Sequence, residues 1–399
     1  MSRDILGDVR VLDFTTIVSG PYCTRMLADL GAEVIKVEPP EGDLIRLQPP
    51  LRAGKSAYFA SLNCGKRSLA IDFRQPDALN LMRELAGRCD VVVENFRPGV
   101  MKRNGLDYET LAGDNPRLVY CSISGFGQSG PWATRGAYAP MLHALSGFDL
   151  VNLSYQSGID RPLNAGIMIG DILGGTHAFA AIQTALLARE RTGRGDYIDL
   201  SMMDGLLGML TYEYQEAQFP QPGLPRGFRP TRAKDGFIMI AAVKPNNFEA
   251  LWRAIGLPEL IDDARFGTAQ GRAANPSAIA AVLDEWASTR TAAQCEAILT
   301  EGNVPCSRYS TIRETLAHPH LQHRGSYEII DDGSGLLKVP NPPFQLRNAS
   351  AKARNSVPSL GADNAEVLEK ILGYSRAHIA MLHVRKVLYG AKDGGGGGN

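Results

Sequence analysis

Short apolar runs alternate with stretches of helical period over the first 125 residues. Residues 9–14 form a run of strand type, Gly20-Pro21 follows, and the period changes to helical over 22–30. Gly31 stops that helix, and residues 33–38 make a second strand. A strand, a helix and a strand at this spacing predict a right-handed βαβ unit with parallel strands. The alternation recurs in a strand over 68–73, a helix over 76–88, and strands over 90–94 and 118–123. Together they predict an α/β fold, an open and mostly parallel sheet of Rossmann-like order. The first βα turn, Thr15 to Pro21, lacks G-x-G-x-x-G, which argues against a nicotinamide or flavin dinucleotide.

The longest apolar stretch runs over 172–189, with apolar residues on nearly every face, and predicts a helix buried inside a sizeable domain. Asp171 stands at its start, after Gly170 and before Gly174-Gly175. An acid there meets free N–H groups and the positive end of the helix dipole, which favour its ionised form by roughly 0.3–1 kcal/mol. A helix cap explains such an acid. It does not explain the glycines, which weaken a helix but let a ligand approach the backbone.

A strand over 196–201 and a helix over 203–217 complete this half, so residues 1–218 are expected to be the main domain. The Pro/Gly-rich run from Phe219 to Pro230 opens a linker over 219–235. A smaller α+β domain is expected over 236–325, with a strand at 236–242 and helices near 246–255, 276–288 and 292–301. A return linker over 326–357 leads to a segment over 358–390 that docks back on the main domain through a helix over 363–372. The glycine-rich end, 391–399, is expected to be a disordered tail.

Composition narrows the function. The 399 residues carry 42 basic and 42 acidic side chains, so nothing points to nucleic acid or an anionic membrane, and any anion site must be local. The first residues lack a signal peptide's apolar run, and the most apolar helix contains Asp, His and Gln, so no membrane span is expected. Six cysteines without a C-x-x-C pair suit reduced thiols in the cytoplasm. His318, His320 and His323 form a loop cluster without metal-ligand spacing, and no metal is expected.

Three groups of motifs occur in order. The first is Val11-Leu12-Asp13-Phe14-Thr15 running on to Ser19-Gly20-Pro21, then Leu27 to Pro39 and Gly42-Asp43. The second is Asn63-Cys64-Gly65-Lys66-Arg67-Ser68 with Asp90 to Gly99, and the third is Ser124-Gly125-Phe126-Gly127-Gln128-Ser129-Gly130-Pro131 followed by Gly170-Asp171. With these motifs the chain resembles the class III CoA-transferases, the CaiB–BaiF or formyl-CoA transferase-like family, from residue 9 to about 210 and again at Pro358-Ser359-Leu360-Gly361.

The resemblance implies a CoA-transferase that moves CoA from an acyl-CoA to a carboxylic acid, with no permanently bound cofactor and CoA as substrate and product. It implies Asp171 as the nucleophile, passing through an anhydride and an aspartyl-CoA thioester. It also implies a CoA site at Thr16, Ile17, Ser19, Ile71, Asn95, Phe96, Arg103 and Tyr138, and an interlocked homodimer. Lys66-Arg67, Arg97 and Lys102-Arg103 are candidate cations for the CoA phosphates, and Arg46, Arg226 or Arg229 for an acceptor carboxylate.

The chain departs from formyl-CoA transferase in three places. Pro39 stands for an arginine, Gly136 for a lysine (with Arg135 beside it), and Val18 for a glutamine, which argues against formyl-CoA and oxalate specificity. Small dicarboxylic acids and a succinyl-CoA-type donor are expected instead. The same scaffold hosts 2-methylacyl-CoA racemases, the alternative reading, which require a His/Asp pair. Tyr138 occupies the matching position, and His143 one turn on reads as helix packing. A CoA-binding scaffold without turnover is a third reading, against which the intact Gly170-Asp171 speaks.

Overall fold

The computed structural model describes residues 4–156, 158–220 and 228–390. The described parts of Met1–Leu153, Gly158–Tyr214 and Gln322–Asn399 form one compact unit, and those of Ser154–Ser157 and Gln215–Leu321 the other. In the first, strands β1 (Arg10–Asp13), β2 (Glu33–Glu38), β3 (Arg67–Ala70), β4 (Val91–Glu94), β5 (Val119–Ser124) and β6 (Tyr197–Ser201) build one sheet in the order β3-β2-β1-β4-β5-β6. Every pairing in it is parallel, where the sequence predicts a mostly parallel sheet. The strands read as solid apolar runs because both faces are covered; Val91, Val92 and Val93 are all fully buried.

Helices α1 (Ser19–Asp29), α2 (Ala57–Asn63), α3 (Pro76–Ala86), α4 (Val100–Arg103), α5 (Tyr108–Asp114), α6 (Ala139–Leu145), α7 (Phe148–Ser154), α8 (Ile169–Thr192) and α9 (Met202–Met209) follow in chain order. One core joins the sheet to α3 through Leu81, Met82 and Leu85. The other joins the opposite face to α1 and α8 through Leu27, Ala178 and Ile182. The strand order reverses between β1 and β4, so their carboxyl ends flank a crevice, the place where open α/β sheets bind ligands.

Three expectations are corrected. The helix expected over 203–217 is split at Leu210 into α9 and α10 (Thr211–Gln218), with Leu210 N–H shared between the carbonyls of Leu206 and Leu207. The smaller unit carries an antiparallel sheet of β7 (Thr231–Ala233), β8 (Gly236–Ile240) and β9 (Cys306–Arg308) with α11 (Pro245–Ala254), α12 (Pro276–Ser288) and α13 (Ala292–Glu301) around Trp252 and Trp286. Near the end, the helix expected over 363–372 is only α14 (Asn364–Val367) with a wider turn at Leu368–Leu372, and a further helix, α15 (Arg376–Val384), follows. Val367, Leu368, Ile379 and Leu382 enter the α3 core, and Asp363 and Asn364 accept the N–H groups of Ser68 and Ala70 on β3.

The third correction concerns α8, which is not buried on all sides. Ala178, Ile182, Ala185 and Leu186 are buried, whereas Thr176, His177, Ala180, Thr184 and Leu187 are exposed in the single chain. The expected tail at 391–399 and Arg226 lie outside the described residues.

Helix α8 approaches α1 at Gly175, where an added Cβ would lie 2.5 Å from the Ser19 carbonyl oxygen. Gly175→Ala gains about 1 kcal/mol of helix propensity. It also forces a methyl against backbone that cannot swing aside, a clash of roughly 1–3 kcal/mol. The clash wins, so denaturant unfolding should show a net loss of stability; a more stable variant would mean that the helices have room to spare.

Candidate functional site

A cavity of about 720 Å³ opens at the crevice between β1 and β4. The loop after β1 supplies Thr16, Ile17, Val18 and Ser19, and the loop after β4 supplies Asn95, Phe96, Arg97 and Pro98. Ser124 and Gly125 come from the end of β5, Met168 and Asp171 from the start of α8, and Arg135 and Tyr138 from the loop before α6. Seven of the nine expected site residues therefore share one wall or another of a single cavity: Asp171, Thr16, Ile17, Ser19, Asn95, Phe96 and Tyr138.

Ile71 and Arg103 do not line it. Ile71 is fully buried in the α3 core and bridges to Leu388 on the returning chain. Arg103 is exposed at the end of α4. Tyr58 of α2, Gln48 and Met202 do line it and were not among the expected residues. Tyr58 stands five residues before the Asn63-Cys64-Gly65-Lys66 motif, the one sequence signal that could have pointed to it.

Asp171 is the third residue of α8; Met168 holds the N-cap position and makes no side-chain cap bond. Asp171 is thus not a helix cap. Burial pushes its carboxyl up to about 6, while the backbone N–H groups of Ser19 and of Asp171 itself pull the other way. The helix end was expected to favour the ionised form, and it does, but desolvation is larger. Burial and then the nearby Asp171 charge raise the Tyr58 phenol.

The neighbours of Asp171 are fixed. Imidazole Nε2 of buried His143 accepts the Gly170 N–H at 3.2 Å, and burial lowers the His143 pKa. His143 therefore packs, as expected, and also holds the first turn of α8. Asn95 brackets Thr16, accepting its N–H at 2.9 Å and donating to its carbonyl at 2.8 Å.

The candidate cations separate by their partners. Lys66 is buried and bonded to Asp13 at 3.0 Å, Asn63 at 2.8 Å and the Pro21 carbonyl at 3.1 Å, with burial lowering its pKa to about 8. Arg67 pairs with Glu33 and Glu366. Arg46 grips Glu38 through two bonds of 2.7 Å and lies over the Phe59 ring, and Arg229 pairs with Asp284 in the smaller unit. Arg97 and Arg135 line the cavity, and among the described residues neither guanidinium has an ion-pair partner. An Arg97 nitrogen lies 3.2 Å from where a Cβ on Gly136 would stand. Gly136, having no side chain, leaves room for that arginine. Among the described residues, no cluster of three His, Cys, Asp or Glu side chains is placed to hold a metal, and no helix is long and apolar enough to cross a membrane.

A half-buried carboxylate in a deep cavity at the switch point of a parallel sheet defines an α/β enzyme site with a candidate nucleophile. The model of CoA-transferase family III matches residues 6–364, and the chain belongs to that family. It is 34% identical to succinyl-CoA–D-citramalate CoA-transferase of Chloroflexus aurantiacus, over 96% of this chain and 98% of the relative. It is 31% identical to mouse (Mus musculus) succinyl-CoA:glutarate CoA-transferase, over 94% and 88%. Among solved structures, a CaiB/BaiF family protein from Brucella suis superposes with a TM-score of 0.82 at 32% identity, over 93% of this chain and 100% of that one. The chain is therefore a CoA-transferase, which moves CoA from an acyl-CoA to a carboxylic acid.

A folded-state pKa near 6 for Asp171, above the ordinary carboxylate value of 3.8, carries a signed consequence. Below pH 4 the carboxyl is protonated in both states and its burial is unpenalised. As pH rises from 4 to 6 the unfolded chain ionises first, and above 6 the folded protein holds a charge in a dry site. Asp171→Asn should then stabilise the protein by roughly 2–3 kcal/mol at pH 7.5, with the gain vanishing near pH 4. Denaturant unfolding at the two pH values checks this; a destabilised variant at pH 7.5 would contradict the burial.

Proposed function

We propose that Asp171 is the nucleophile of this transfer. The single observation that carries the reading is its place, desolvated and in the first turn of α8, on the wall of the cavity built by β1, β4 and β5. Its ionised carboxylate attacks the acyl carbon of the donor, the C–S bond breaks, and a mixed anhydride and CoA thiolate result. The thiolate attacks the aspartyl carbon of that anhydride, releasing the donor acid and leaving an aspartyl-CoA thioester. The acceptor carboxylate then attacks the aspartyl carbon and expels the thiolate, forming a second anhydride. Attack of the thiolate on its acyl carbon gives the new acyl-CoA and restores Asp171. Each step exchanges one activated carboxyl for another, so no intermediate is far downhill. The backbone N–H of Ser19, beside the carboxylate, supports charge on the aspartyl oxygens.

Thr16, Ile17, Ser19, Asn95, Phe96 and Tyr138 on the cavity walls are the proposed CoA contacts, and Arg103 a proposed phosphate contact outside the cavity. Small dicarboxylic acids are the proposed substrates, with a succinyl-CoA-type donor; Arg97 and Arg135 are the cations on the walls for an anionic group. Two relatives named for glutarate and citramalate transfer support this choice. A racemase reading fits less well, because His143 spends Nε2 on the Gly170 N–H and does not line the cavity. The outward side of α8, with Ala180, Leu187 and Ala188 exposed in the single chain, suits an interlocked homodimer, and the five buried free cysteines suit a reducing compartment such as the cytoplasm.

Incubation with succinyl-CoA and hydroxylamine, without acceptor, should convert Asp171 to a hydroxamate detectable on its peptide. Asp171→Ala should lose transfer by several orders of magnitude while still binding CoA. A folded Asp171→Ala enzyme with near-normal transfer would sink the reading.

A further inference from the structure

The loop that brings Thr16, Ile17 and Ser19 to the cavity has a backbone shape its sequence does not favour. Ile17 lies at φ +68°, in the left-handed region. A β-branched residue is a genuine outlier there and persists only where its surroundings over-determine it. The surroundings do so with buried polar groups. The Asp43 carboxylate accepts the Ile17 N–H at 3.3 and 3.2 Å. Lys36 Nζ donates to Asp43 at 2.9 Å and to the Thr15 carbonyl at 2.8 Å. The side chains of Lys36 and Asp43 are fully buried. Asp13 accepts the Thr15 N–H at 2.9 Å, and Asn95 donates to Ser19 Oγ at 3.3 Å.

Neither Lys36 nor Asp43 lines the cavity, so neither is placed to touch substrate. Fold stability is a weak reason for such a pair. Replacing a buried ion pair by apolar residues of similar volume is often neutral or stabilising, whereas a pair can specify one arrangement of backbone. Here the arrangement specified is the strained one, and it brings Ile17 and Ser19 to the wall of the cavity that Asp171 also lines. We propose that the Lys36–Asp43 ion pair is a positioning device for the transfer reaction, holding Ile17 left-handed so that the loop presents Ile17 and Ser19 on the cavity wall beside Asp171. The proposal rests on Asp171 as nucleophile.

The test uses the whole enzyme. Asp43→Asn should lower kcat at least tenfold while KM for succinyl-CoA changes less than about threefold, because the loop loses its hold and the outer cavity does not. Ile17→Gly and Ile17→Ala are then added separately to Asp43→Asn. Both remove the cavity-facing side chain, and only glycine adopts φ +68° without strain. The glycine version should therefore exceed the alanine version in kcat by about tenfold, the ratio that a left-handed penalty of about 1.4 kcal/mol corresponds to. Equal kcat in the two versions, or wild-type kcat in Asp43→Asn, would overturn the proposal. If Asp43→Asn does not fold, Lys36→Met with Asp43→Leu leaves neither member of the pair unpaired and carries the same comparison. Hydroxamate at wild-type Asp171 is scored separately: its absence defeats the nucleophile, while equality of glycine and alanine defeats only the loop.

Discussion

In the proposed mechanism the carboxylate that attacks the thioester must be short of water and still ionised, and at Asp171 the two demands oppose each other. Burial lifts its pKa, and the N–H groups of Ser19 and of Asp171 itself hold the rise to about 6. Bringing the Ser19 N–H to that place requires the first turns of α1 and α8 to approach closely. The helix contact explains Gly175, and the tight turn before α1 explains Gly20. At Gly175 a side chain would meet the Ser19 carbonyl, and at Gly20 it would meet Thr15 at 2.2 Å. It also explains why the loop between β1 and α1 is held by side chains buried deep in the sheet. The demand at one carboxylate propagates through a helix contact to a strained loop and from there to a buried ion pair.

The strands and the place of the site were legible because burial on both faces writes a simple pattern. Val91-Val92-Val93 cannot be mistaken for a helix surface, and Glu33–Glu38 coincides with its expected bounds. Asp171 was legible through its glycines. What the sequence hid is what depends on long-range contact. Lys66 and Arg46 look like available cations, yet Asp13 and Glu38, 53 and 8 residues away, take them. Ile71, expected at the CoA site, is buried and bridged to Leu388 of the returning chain. Nothing local to Ile17 announces a positive φ, since the group that fixes it, Asp43, lies 26 residues on. The all-round apolar pattern of α8 was read as burial within one domain, but Thr176, His177, Ala180, Thr184 and Leu187 face outward in the single chain.

The departures from formyl-CoA transferase belong together physically. Gly136 has no side chain, and the Arg97 guanidinium occupies the neighbourhood a side chain would have filled. Arg135, next in sequence, lies 5.9 Å from the Phe126 ring and on the cavity wall. Arg97 and Arg135 thus offer planar forks that match a carboxylate or phosphate. Arg46 does not line the cavity and is committed to Glu38.

The central claim is that the oxygens of Asp171 take part in the exchange, and oxygen-18 follows them directly. In the proposed sequence each acceptor carboxylate leaves one of its oxygens on Asp171 when its anhydride is opened by CoA. After several turnovers with an acceptor acid labelled in both carboxyl oxygens, mass spectrometry of the peptide containing Asp171 should find the label in that side chain. Label in the released donor acid with none in Asp171 would mean that the two acids exchange CoA without passing through it, and would contradict the account.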